Sequence, residues 1–232
     1  MNKFASVFVL VGLSAVTALL LAGCAAREAI HPLSSYVVPD FGSRDVKTIA
    51  LMPMADRGGA QAASPAVLPL LEARVLQKTA YLFLSQEEVA GRAMRTGQKD
   101  RYDRLVVNWA KEGQVGKDDV ISLGKGVAVE AFLFGEVLLW NKEWIAPNAE
   151  GTSQTQVGIK LVLFSATTGE KLWEASDEQT LKSAYYSPQS GIGTHVDKGG
   201  MVRQSSTGGV PEPPPYDEVA GRVLDALFRV FP

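Results

Sequence analysis

The run Ala131-Phe132-Leu133-Phe134-Gly135-Glu136-Val137-Leu138-Leu139-Trp140 constrains this chain more than any other stretch. It is apolar on both sides of a two-residue period, a pattern that a strand carries when both faces of its sheet are covered. The next segments extend the sheet. Thr155 to Ala166 reads as a long strand with Val157, Ile159, Leu161 and Leu163 on one face. Thr167-Thr168-Gly169 is a turn, with glycine where positive φ is needed. Glu170 to Ala175 then returns as the antiparallel partner, carrying Leu172 and Trp173.

Helices to cover such a sheet are legible on either side of it. Lys47 to Pro53 is a short apolar run stopped by proline, a buried strand, and a polar loop runs from Asp56 to Ser64. Pro69 suits the first position of a helix, where its missing N–H costs nothing, with Leu71, Val75 and Lys78 at helical spacing. After a strand at Tyr81 to Leu84, Ser85-Gln86-Glu87-Glu88 is a capping box, with Val89, Ala93 and Met94 facing inward. A helix over 100–112 carries Tyr102, Leu105, Val106 and Trp109 on one stripe. Another, capped by Asp118 or Asp119, carries Val120, Leu123, Gly124 and Val127. The chain ends on a helix from Tyr216 to Phe231, capped by Asp217. Its apolar stripe (Ala220, Val223, Leu224, Leu227, Phe231) is read as packing on the sheet. The expected fold class is α/β: a small mixed β-sheet with helices on its faces, a C-terminal hairpin and a final helix.

The ends of the chain carry a different message. Lys3 precedes an apolar run of about 19 residues from Phe4 to Ala22, the pattern of an export signal. Leu21-Ala22-Gly23-Cys24 resembles the bacterial lipobox, and Cys24 is the only cysteine. The resemblance implies a signal peptide over 1–23, cleavage before Cys24 and lipidation of that residue, with palmitate among its acyl chains. A cysteine so acylated anchors stably, at about 0.8 kcal/mol per buried CH₂. Ala25 stands where an aspartate would imply inner-membrane retention, so the resemblance implies the outer membrane, facing the periplasm. Residues 24–45 are expected to be the lipid anchor and a tether, and 46–232 a single α/β domain. That tether reaches some 70 Å at most when fully extended, and its ends lie roughly 25 Å apart as a coil.

Between Ser187 and Pro215 the composition changes: these 29 residues hold six glycines and five prolines, which predicts a mobile loop. Formal net charge is −2, and about −3 once Lys3 is removed. No Lys/Arg run points to nucleic acid. Of the two histidines, His31 falls in the tether and His195 in the loop, with no metal-binding spacing around either. Gly191-Ile192-Gly193 and Gly124-Lys125-Gly126 lack the strand that a phosphate loop needs before it. Glu136, a carboxylate in an apolar strand, requires exposure or a basic partner such as Lys160. No catalytic residue, cofactor, metal site or small-molecule substrate is expected, and the chain does not read as an enzyme.

In order, the elements resemble a superfamily of periplasmic lipoprotein domains. Its members include the curli secretion channel lipoprotein, the penicillin-binding-protein activator lipoprotein B and the amino-terminal domain of TolB. The residues that carry the resemblance are Ile49 to Pro53, Tyr81 to Ser85, and Leu123-Gly124 ahead of Phe134-Gly135-Glu136-Val137. To these is added Lys160-Leu161-Val162-Leu163-Phe164 leading through Thr168-Gly169-Glu170 to Leu172-Trp173. The chain lacks the paired barrel strands of the channel family and the long tether of the activator family. The resemblance implies an interaction or assembly factor for an envelope complex, with an envelope protein as partner. The alternative is a self-associating subunit of a secretion or trans-envelope assembly, a homo-oligomer.

Overall fold

Strand β5 (Ala131–Glu143) lies inside the sheet, as its two-sided apolar pattern requires. In a computed structural model that describes residues 33–57, 63–188, 193–196, 202–205 and 209–232, it is flanked by strands of opposite sense. β6 (Gln154–Ser165) pairs with it antiparallel and β2 (Thr48–Leu51) parallel. β7 (Lys171–Lys182) pairs antiparallel with β6 through the turn at Gly169, whose φ is +69°. β1 (Ser34–Val37) closes one edge on β7 and β4 (Leu82–Leu84) the other on β2. The order is β1-β7-β6-β5-β2-β4, and β3 (Ala55–Asp56) continues β2 along β5 after Pro53 interrupts the ladder. This is the mixed α/β sheet that the sequence implies.

Helices cover the two faces unequally. α1 (Ala63–Val75) and α5 (Tyr216–Arg229) lie on one face, where Val67, Leu71, Val223, Leu224 and Leu227 meet Ile49, Leu133, Ile159 and Trp173. α2 (Gln86–Arg95), α3 (Lys99–Glu112) and α4 (Lys117–Val127) lie on the other, over Ala50, Phe132, Phe134 and Val162. Each fully buried leucine or valine contributes about 1.5–3 kcal/mol relative to exposure. Gly124 of α4 is a close-approach site: a Cβ there would stand 2.5 Å from the Cβ of Ala166.

Several boundaries differ from the sequence expectation, each for an identifiable reason. α1 starts six residues before Pro69, because the Asp56 carboxylate on β3 accepts the Ser64 N–H (2.8 Å) and caps the helix from outside. Pro69 therefore sits inside the helix and withholds one hydrogen bond. Lys78 lies past its end, with its ammonium 5.7 Å from the centre of the Phe231 ring. Ser85 caps α2 as expected, accepting the Glu88 N–H at 3.2 Å, but Met94 is exposed because only Val89 and Ala93 reach the core. Neither Asp118 nor Asp119 caps α4; Gly116 precedes it, and Asp119 is drawn to Arg104 at 2.7 Å. Asp217 lies in the first turn of α5 behind Pro215, favourable to the helix dipole but not a cap.

The expected tether over 24–45 contains an edge strand of the sheet. Ser34–Val37 pair with Ser176 to Trp173, and the Ser34 and Ser176 hydroxyls meet at 2.8 Å. An edge strand exposed along its length has no apolar period to announce it. Within 187–215, Gly193–Val196 (β8) and Val202–Ser205 (β9) form a separate antiparallel pair, with His195 opposite Arg203.

Candidate interaction surfaces

Glu136 is the buried carboxylate of the central strand, and its side chain is 5% exposed. It faces the second layer of helices, and its partner is Arg57, which lies just past β3; the Arg57 Nε is in direct ion-pair contact with Oε1. Arg57 also donates to the Trp109 carbonyl at 2.9 Å and the Lys111 carbonyl at 3.3 Å, so it closes the C-terminal end of α3. Trp109 in turn donates its indole N–H to the Gly135 carbonyl at 2.8 Å. One arginine thus joins β3, β5 and α3. Lys160, opposite Glu136 in register, is not the partner, because its ammonium leans toward Glu174 at 3.8 Å.

Beside this cluster a concavity of about 340 Å³ opens between α3 and the sheet. Trp109, Val162 and Phe164 form its floor, and Lys160, Lys171 and Glu174 its rim. Glu174 takes Lys171 at 2.7 Å as well as Lys160, so one carboxylate is shared by two ammonium groups and the rim keeps a net positive charge. Beyond it β7 alternates from Trp173 onward, Trp173, Ala175 and Asp177 inward and Glu174, Ser176 and Glu178 outward, leaving an open polar sheet face; Leu172, at a register shift against β6, is also buried.

The third surface is the end of the sheet where β5 stops and β6 begins. The 144–153 connection is locked to the segment after β7: Gly151 and Tyr186 exchange backbone hydrogen bonds of 2.9 and 2.7 Å. Ser153 and Ser183 bond twice, backbone to backbone at 2.8 Å and hydroxyl to backbone at 3.0 Å. The Tyr186 hydroxyl donates to the Pro147 carbonyl at 3.2 Å. Tyr185 and Ser187 donate to Glu150, whose charge holds the Tyr185 phenol above the usual tyrosine range. Behind the loops, Trp140 stacks on Tyr216 (4.2 Å, 7° between planes), with the Lys142 ammonium 4.8 Å from the Tyr216 ring centre. From this braced tip two aromatic rings project into solvent, Trp144 at 57% exposure and Tyr185 at 67%.

Of the residues singled out in the sequence, Cys24, His31, Gly191 and Ile192 lie outside the described residues. His195 is in β8. Gly124-Lys125-Gly126 lies within α4, where Gly124 serves close helix–sheet packing. Among the described residues no group of three or more His, Cys, Asp or Glu side chains is placed to hold a metal, and no helix is long and apolar enough to cross a membrane. Sequence reasoning missed Arg57, whose only local sign is a charge after a short strand. It also missed Trp144 and Tyr185; an isolated tryptophan in Asn141-Lys142-Glu143-Trp144 was the available signal for the tip.

No protein-family model matches the chain, and no curated protein matches it. Solved structures do. The lipoprotein GNA1162 of Neisseria meningitidis is 17% identical with a TM-score of 0.45, over 59% of this chain and 84% of that one. The PelC dodecamer of Paraburkholderia phytofirmans is 10% identical with a TM-score of 0.44, over 83% and 92%. The C-terminal domain of LpoB from Escherichia coli is 10% identical with a TM-score of 0.40, over 57% and 82%. At these scores the likenesses carry no functional argument.

Proposed function

We propose that the chain is an outer-membrane lipoprotein, anchored through Cys24, whose α/β body works in the periplasm by contact with an envelope protein and not by catalysis. The observation that carries the reading is the short distance along the chain from the lipobox to the sheet. Only residues 25–32 separate Cys24 from Leu33, the residue before β1. A body attached so closely presents its surfaces at one membrane. Glu136, the carboxylate that could suggest acid–base work, is committed to Arg57.

The reading is tested in two steps. Cells fed a clickable fatty acid should label the wild type and leave Cys24→Ala unlabelled; equal labelling overturns the anchor. Crosslinking in intact cells, followed by mass spectrometry, should then capture an envelope protein, with capture reduced by patch substitutions on the open β6–β7 face. Loss of function from one conservative polar change, with fold, abundance and capture intact, would favour an enzyme. Self-association is a second reading, supported by the open edge at β4, where Leu82 and nearby Leu76 are exposed. A higher-order mass in detergent that Leu82→Lys reduces to a monomer would support it.

A further inference from the structure

We infer that the loop tip bearing Trp144 and Tyr185 faces the bilayer and seats both rings in the headgroup region of the leaflet that holds the lipid on Cys24. This rests on the proposed lipidation and adds an orientation to it.

Strand direction supplies the first argument. β1 runs antiparallel to β7 with Ser34 opposite Ser176, so Leu33 lies level with Asp177 and β1 starts on the side of the sheet nearer the tip. Along β7 the tip begins at Ser183, six residues past Asp177, about 20 Å away. The opposite end, at Gly169, is eight residues the other way, about 27 Å, and the chain would have to reverse to reach it. The nine steps from Cys24 to Leu33 span about 30 Å at full extension and roughly 17 Å on average as a coil. That average matches the tip. Reaching the far end would require nearly full extension after a reversal.

What the tip presents supplies the second argument. Tryptophan and tyrosine concentrate at membrane–water interfaces, where an apolar ring with a polar edge suits the headgroup depth. Trp144 and Tyr185 are two of the most exposed aromatic rings among the described residues, and both stand on loops braced by backbone bonds. The two carboxylates beside them are hydrogen-bonded: Glu143 by Asn141 and Gln154, and Glu150 by Tyr185 and Ser187. Neither carboxylate favours an anionic surface, so the fit is to a zwitterionic leaflet. The far end, by contrast, presents Thr167, Thr168 and Glu170, with no aromatic side chain at the turn.

The experiment uses the full lipidated chain reconstituted into phosphatidylethanolamine and phosphatidylcholine vesicles, a share of the latter brominated in its acyl chains. Because Cys24 carries lipid, Trp144→Cys, Tyr185→Cys and Thr168→Cys each offer one free thiol for an environment-sensitive fluorophore. Labels at 144 and 185 should lose most of their emission to the bromolipid, and the label at 168 should keep its emission. Quenching at 168 but not at 144 overturns the orientation, and so does absence of quenching at all three in protein that floats with the vesicles. A chain recovered from cells with no acyl group on Cys24, and found not to float, would overturn the lipoprotein reading itself, and this inference with it.

Discussion

Removing Arg57 should be among the most damaging single changes outside the apolar core. Arg57→Met would leave Glu136, 5% exposed, without its counter-charge, and would strip the Trp109 and Lys111 carbonyls at the end of α3 of a donor. Breaking a buried ion pair from one side costs about 3–5 kcal/mol. Arg57 is itself 30% exposed, so water reaches part of the site, and about 3 kcal/mol is the expected loss. For a domain of this size that corresponds to roughly 6–12 °C in melting temperature. Glu136→Gln should cost less, about 1–2 kcal/mol, because the arginine left behind keeps its two carbonyl acceptors and its access to water. The double variant Arg57→Met/Glu136→Gln buries no charge and should recover part of the Arg57→Met loss. Urea unfolding of the four proteins, closed as a double-mutant cycle, measures the coupling. A loss below about 1 kcal/mol for Arg57→Met, or a double variant no better than the single one, would refute the assignment of this pair as the clamp between β3, β5 and α3.

Gly124→Ala improves helix propensity by about 1 kcal/mol in isolation, yet should destabilise the protein by about 1–3 kcal/mol because the new methyl meets Ala166 at its Cβ and its carbonyl oxygen. Thermal melts decide the sign. Arg104 holds the Asp119 carboxyl below its ordinary value, so this pair stabilises the fold above the unfolded aspartate range near pH 4 and is lost as pH falls through the lower, folded value. Between pH 6 and pH 3 the wild type should therefore lose up to about 1 kcal/mol more than Asp119→Asn, read from urea midpoints. Limited proteolysis should cut first within 187–215, on its glycine and proline density, and only later within the β5–β7 hairpin. First cuts inside 131–175 would contradict the hairpin as the stable centre.

What was legible in the sequence is what repeats locally. The two-sided apolar run of β5, the alternation of β6, the Gly169 turn and the stripe of α5 each declare themselves within a dozen residues, and each is found in place. Illegible features depend on partners far along the chain. The Asp56 cap on Ser64 sets the start of α1 ahead of two prolines. Arg57 meets Glu136 across 79 residues (136 minus 57). β1 is held by backbone pairing to β7 with no apolar pattern of its own. Aspartates at 118, 119 and 217 resemble caps by composition. The positions that precede α4 and α5 instead belong to Gly116 and Pro215, residues that let the chain turn into the helix. The exposed rings at the tip lie in loops, where neither periodicity nor propensity speaks.

The placement of α5 has a consequence for the order of events when the chain is made. Its residues close the same core that Ile49 and Val67 begin. The last few residues fasten it: Trp173 donates to the Val230 carbonyl at 3.0 Å and Tyr81 to the Pro232 carbonyl at 2.8 Å. Phe231 emerges 182 residues after Ile49 (231 minus 49). At about 5–20 residues per second, synthesis leaves that face of the sheet with α1 alone, and without α5, until roughly 10–35 s after Ile49 emerges. Contacts this distant along the chain also form slowly. The nascent chain has no early stopping point on that side, which keeps it open to threading across a membrane before it closes. It also makes α5 the latch: a chain cut off before Tyr216 keeps only α1 over that face and leaves Ile159, Leu161 and Trp173 short of their cover.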